Sequence, residues 1–122
     1  MSLTKEVLEK YLKDVKEFAK EFLTTTEVGK RAALRRKEFI AASKACSEMC
    51  HIAYPGPKDY LSPEVTPSEE CFNVCMDYLA RLKKGTPDEG MKEFIKWLQE
   101  NNAQNVDTIK AAAQAAGLLS SA

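Results

Sequence analysis

Net charge is the first thing this chain lacks. Its 122 residues carry 18 basic and 18 acidic side chains, so no broad field draws in phosphate, which argues against a sequence-independent nucleic-acid binder. Histidine is nearly absent: His51 stands alone, which excludes a histidine-rich metal centre or an H-E-x-x-H motif. No apolar run approaches the roughly 20 residues of a bilayer-crossing helix. The amino terminus turns quickly into a charged amphipathic segment, so no signal peptide is read there. A secreted or imported chain has then lost its address or carries it internally. Glycine and proline number five each and fall near helix ends and in loops. They leave no phosphate-cradling loop, no dinucleotide fingerprint and no G-x-S-x-G elbow. Carboxylates are plentiful but sit mostly at exposed-face positions, with no pair to nominate as acid and base. Nothing argues for an enzyme.

What the chain does have is helical periodicity, and no strand pattern competes with it. From Leu3 to Leu23, the residues Leu8, Tyr11, Leu12, Val15, Phe18, Ala19 and Phe22 form an apolar stripe. Thr24, Thr25 and Thr26 break it and offer a cap for a second helix from Glu27 to Ala53. That helix buries Phe39, Ala42, Cys46, Cys50 and Ala53. Upstream, Lys30, Arg31, Arg35, Arg36 and Lys37 cluster, read as a solvated face balanced by acidic neighbours rather than an anion site. Tyr54 to Pro63 is a proline-rich loop. Thr66-Pro67-Ser68-Glu69 then supplies a cap, a first-turn proline and a capping box. The third helix turns Cys71, Cys75, Tyr78 and Leu82 inward and stops at Gly85. Thr86-Pro87-Asp88-Glu89 repeats the start for a fourth helix, with Met91, Phe94, Ile95 and Leu98 inward and Trp97 at the border of the stripe. Asn105 caps a short alanine-rich fifth helix that ends near Gly117. The expected fold is all-α: a four-helix bundle with a short fifth helix, its central helical hairpin bridged by cysteine pairs. One domain spans 1–122, with helix 1 in 1–24, the cysteine-bearing hairpin in 27–53 and 66–84, and the C-terminal helices in 87–118.

All four cysteines lie in that hairpin, as C-S-E-M-C and C-F-N-V-C. Residues four apart share a helix face, so Cys46 pairs in space with Cys50, and Cys71 with Cys75. If the helices run antiparallel, Cys50 faces Cys71 and Cys46 faces Cys75. The outcome is either two disulfide rungs or a pocket of four thiolates. The rungs need Cα atoms roughly 5–6 Å apart, which Ala41, Ala42, Ala45 and Ala53 beside the first pair favour. Such bonds need an oxidising compartment. As alternatives, the thiolates Cys46, Cys50, Cys71 and Cys75, with His51 nearby, bind zinc or copper, or one exposed disulfide cycles as a redox centre. The run C-S-E-M-C-H also resembles a haem c attachment site with one residue too many.

The two spaced pairs, together with S-E-E-C-F-N-V-C-M-D-Y-L, resemble the twin C-x-x-x-C small translocase chaperones of the mitochondrial intermembrane space. The likeness covers Phe39 to Lys84. It implies nested disulfides Cys46–Cys75 and Cys50–Cys71, import as a reduced chain, oxidative trapping and ATP-independent holding of hydrophobic membrane-protein precursors, usually by a ring of subunits. The chain departs from that family in its longer inter-pair loop, its extra first helix and its two helices after the hairpin. The resulting expectation is a non-catalytic helical module, with no cofactor, that binds protein or hydrophobic peptide segments and has scope to form a homo-oligomer.

Overall fold

A computed structural model of the chain describes residues 3–56, 66–81 and 86–120. Five α-helices follow in order: α1 Leu3–Thr24, α2 Val28–Ala53, α3 Pro67–Met76, α4 Pro87–Glu100 and α5 Val106–Ala115. A π-helical turn, Asp77–Arg81, prolongs α3. Among the described residues there is no strand. Leu82 and Gly85, expected at the inner end and the stop of the third helix, lie outside the described residues.

One apolar core draws on every helix. From α1 come Leu8, Leu12 and Val15, from α2 Ala42, Cys46 and Met49, and from α3 Cys71 and Cys75. Phe94 and Leu98 of α4 and Ile109 and Ala112 of α5 complete it. On α1 the periodicity separates two kinds of residue. Leu8, Leu12, Val15 and Ala19 are buried, whereas Tyr11, Phe18 and Phe22 are only half-buried. Cations of α2 cover those three rings. Arg31 lies 3.9 Å and Arg35 5.0 Å from the Phe22 ring centre, Lys37 6.0 Å from Phe18 and Lys44 5.9 Å from Tyr11. The basic cluster is therefore not simply a face balanced by acids. Among the described residues, Lys30 is the one of the five seen to pair with an acid, Glu27, at 3.5 Å, while three others fasten α2 to α1.

The helix ends show which local signals hold. Thr66 and Thr86 each accept a hydrogen bond from the backbone N–H three residues on, at 3.2 and 3.4 Å, and Pro67 and Pro87 occupy the first turns. The threonine run does not cap α2. Its cap position is Glu27, with no side-chain bond, and Thr24 donates backwards to the Glu21 carbonyl at 3.0 Å. Arg31 instead closes the α1–α2 turn by donating to the Phe22 and Thr25 carbonyls, each at 2.8 Å, which satisfies acceptors that the end of α1 leaves open.

Asn105 is a second correction. It stands at the cap position of α5 but in the left-handed region, φ 58°, with no side-chain cap bond. Its amide donates instead to the Ile52 carbonyl at 3.0 Å, and the Gln104 N–H donates to the Ala53 carbonyl at 2.9 Å. The turn after α4 thus caps the C-terminus of α2. Tyr54 returns the contact, its hydroxyl donating to the Asn101 carbonyl at 2.8 Å. Gly117, at φ 79°, ends α5 as expected, and the Leu118 N–H reaches the Ala113 carbonyl at 2.9 Å. Lys16 of α1 donates to the Gly117 carbonyl at 2.8 Å, binding the first helix to the last turn.

Candidate functional site

The cysteines form two nested disulfides between α2 and α3. Cys46–Cys75 has a Cα separation of 5.6 Å and Cys50–Cys71 of 5.7 Å. Ala41, Ala42, Ala45 and Ala53 are buried beside them, and small residues there let the helices approach this closely. All four cysteines are buried, at 0–1% exposure. The exposed disulfide of the redox reading is therefore not found. A set of four thiolates for zinc or copper exists only once both bonds are reduced. Among the described residues, no group of three or more His, Cys, Asp or Glu is arranged to hold a metal ion. The two disulfides suggest folding in an oxidising environment, and no described helix is long and apolar enough to cross a membrane.

Beside the Cys50–Cys71 rung lies a cavity of about 750 Å³. Its lining is mostly polar: Ser47, Glu48, His51, Ser68, Glu69 and Asn73, with Cys50 and Phe72. His51, nominated as an extra ligand, is exposed in its wall.

At the other end of the hairpin the chemistry changes. Phe39 was expected in the buried stripe, yet it is 45% exposed, and its neighbour Ile40 is 54% exposed. Among the described residues, the arm that faces α2 is the shorter of the two. The stripe through Ala42, Cys46 and Cys50 is covered where α3 runs alongside, but α2 has 26 residues against 10 in α3 and five in its π-helical extension. At Phe39 the described cover has dwindled to Ala80, close to the end of that extension. The buried line of α2 continues instead through Ala41 and Glu38 to Leu34. A groove of about 440 Å³ results, lined by Arg35, Arg36, Glu38, Phe39, Ile40 and Ala80. Sequence periodicity placed Phe39 correctly on the cysteine-bearing face, but it carries no information about where the facing helix ends.

Ring contacts mark the border of α4. Trp97 stacks on Phe94 at 6.3 Å and meets Tyr54 edge-on at 6.4 Å, the packing role expected of it. Burial, and after it the negative charge of Glu70, raises the Tyr54 phenol above its usual pKa of 10.0.

No family model, curated protein or solved structure matches this chain.

Proposed function

We propose that the chain is a non-catalytic, disulfide-braced helical module that binds other polypeptides through the exposed stretch of α2 around Phe39 and Ile40. The observation that carries this reading is the pair Phe39 and Ile40, exposed beside a groove of about 440 Å³ on a helix that two disulfides pin further along, at Cys46 and Cys50. Apolar side chains on a rigid helix offer anchors for an amphipathic partner without a large ordering cost. The rest of the cysteine-bearing face of α2 is already covered within the core, so the stretch around Phe39 and Ile40 is the part left to work with. Holding of hydrophobic polypeptides, and residence in the mitochondrial intermembrane space, follow from the twin-pair resemblance and belong to the same proposal.

Hydrogen exchange of the oxidised full chain, with amphipathic helical peptides ranging from acidic to basic, tests the reading. At least one peptide is expected to slow exchange across 35–40, and the double variant Phe39→Ser/Ile40→Ser to abolish that protection. Protection confined to other parts of the chain, or none with any peptide, overturns it.

A further inference from the structure

The binding reading leaves the partner's chemistry open, and the groove constrains it. Arg35 precedes Phe39 by four residues and Arg36 precedes Ile40 by four, so each guanidinium lies one helical turn from an apolar side chain on the same face. Between Val28 and Ile40 there are five basic residues and one acidic residue, Glu38, in a chain of zero net charge. Glu38 is 2% exposed, so the accessible charge of this stretch is of one sign. Several of the cations already have employment. Arg31 holds the end of α1 and lies over Phe22, Lys37 covers Phe18, and Lys30 pairs with Glu27. Arg35 is held over the outer part of the Phe22 ring at 5.0 Å, which orders it beside the groove. Arg36 is exposed and forms no hydrogen bond or ion pair among the described residues.

We infer that the occupant of this groove is an acidic amphipathic helix of another protein, resting apolar side chains between Phe39 and Ile40 and carboxylates against Arg35 and Arg36. The inference rests on the binding reading above and adds the partner's sign and pattern. Arginine suits the task because its planar fork takes a carboxylate through two parallel hydrogen bonds. Four-residue spacing on α2 is matched by apolar and acidic positions one turn apart on a partner helix. A basic or neutral helix would gain the apolar contact but leave both guanidinium groups desolvated without a counter-charge, which is the discriminating element. The groove is concave with a phenylalanine and an isoleucine in its lining, and this favours an inserted side chain over the flat headgroup surface of an anionic membrane.

The test is fluorescence anisotropy with the oxidised full chain and a labelled helical peptide of about 18 residues. The peptide carries leucine at i, i+3 and i+7 and glutamate on the flanks. Two comparators replace every glutamate by glutamine or by lysine, and vesicles of phosphatidylserine with phosphatidylcholine form a separate arm. The acidic peptide is expected to bind at least about 10-fold more tightly than the glutamine peptide, and the advantage to shrink between about 50 mM and about 300 mM salt. Arg35→Glu/Arg36→Glu reverses the preference towards the lysine peptide, and Phe39→Ser/Ile40→Ser weakens all three. Arg35→Glu/Arg36→Glu gives up the Arg35 contact with the Phe22 ring and is expected to lower the melting curve slightly. Circular dichroism therefore checks that both variants remain folded at the assay temperature, and Arg36→Glu alone is run beside them. Equal binding of acidic and glutamine peptides overturns the partner chemistry while the binding reading stands. No peptide binding at all removes both. Binding to anionic vesicles through Arg35 and Arg36, with no preference for the acidic peptide, overturns the inference in favour of a membrane surface. A concentration-dependent dimer that shields Phe39 and excludes the peptide overturns it in favour of a second copy of the chain.

Discussion

Gly90 carries more of the architecture than its size suggests. A Cβ built there would run into the backbone carbonyl of Tyr78 in the π-helical turn, so only glycine lets the first turn of α4 lie this close to the end of α3. Helix propensity alone favours alanine by about 1 kcal/mol. Overpacking costs about 1–3 kcal/mol, and a helical carbonyl has no rotamer by which to retreat. The steric loss wins, and Gly90→Ala is expected to lower stability by about 1–2 kcal/mol, seen as a lower urea midpoint. Gly29 makes the contrast, since nothing lies within 4 Å of its would-be Cβ. There alanine is expected to raise the midpoint, by up to about 1 kcal/mol. Equal effects at the two sites would show that propensity, not contact, governs both. Tyr54 offers a second residue-level test. Its phenol pKa is raised in the folded chain, so the neutral form is the one that folding favours. Stability from this group is complete below pH 10 and is lost as pH climbs through the folded value. Tyr54→Phe is expected to flatten that alkaline decline above about pH 10. Through the lost bond to Asn101 it also costs about 1 kcal/mol at neutral pH. Denaturation midpoints across that range measure both effects.

Among the elements, the turn between α4 and α5 shows what was legible in the sequence and what was not. The starts of α3 and α4 are written locally: a threonine, a proline and a glutamate within four residues, and the caps form where that pattern places them. The inward faces of α4 and of the cysteine-bearing stretch follow from spacing alone. Asn105 looks locally like another cap, yet its partner is Ile52, 53 residues away. No window along the chain contains both residues. The same limit explains Phe39, whose helical face is readable but whose cover depends on the length of a different helix. The π-helical turn at Asp77–Arg81 also leaves no periodic signature in five residues. The Asn105 contact gives a graded prediction. Asn105→Gly keeps the left-handed backbone and loses the amide bond, for about 1 kcal/mol. Asn105→Ala adds about 1–2 kcal/mol for a side chain in the left-handed region. Thermal melts that rank the two variants equally would mean that the backbone relaxes out of that conformation.

For the molecule as a whole, the two disulfides close loops of 21 and 29 residues in sequence separation. In the chain-entropy account, the Cys50–Cys71 bond contributes about 3 kcal/mol. The outer bond adds less than a second full share, because the inner one already restrains the same unfolded segment. Cys50→Ser/Cys71→Ser is therefore expected to lower unfolding free energy by about 3 kcal/mol, measured by denaturant titration. With all four cysteines bonded there is no thiol to alkylate, so alkylation without reductant adds no mass. Because the four are buried, a mild thiol reductant acts only as fast as the bundle opens. Uptake of alkyl groups by the untreated chain would remove the rungs and the docking face that they brace.

The bond from Lys16 to Gly117 spans 101 residues, so it closes only when the first and last helices are both in place. The helix α1 packs chiefly on its neighbour α2, but Lys16 finds the Gly117 carbonyl only once α5 has docked. The part of the α1 stripe that faces α5 waits on a partner distant in sequence, and such long-range closure is slow. The docking of α5 on α1 is thus the long-range contact that completes the core.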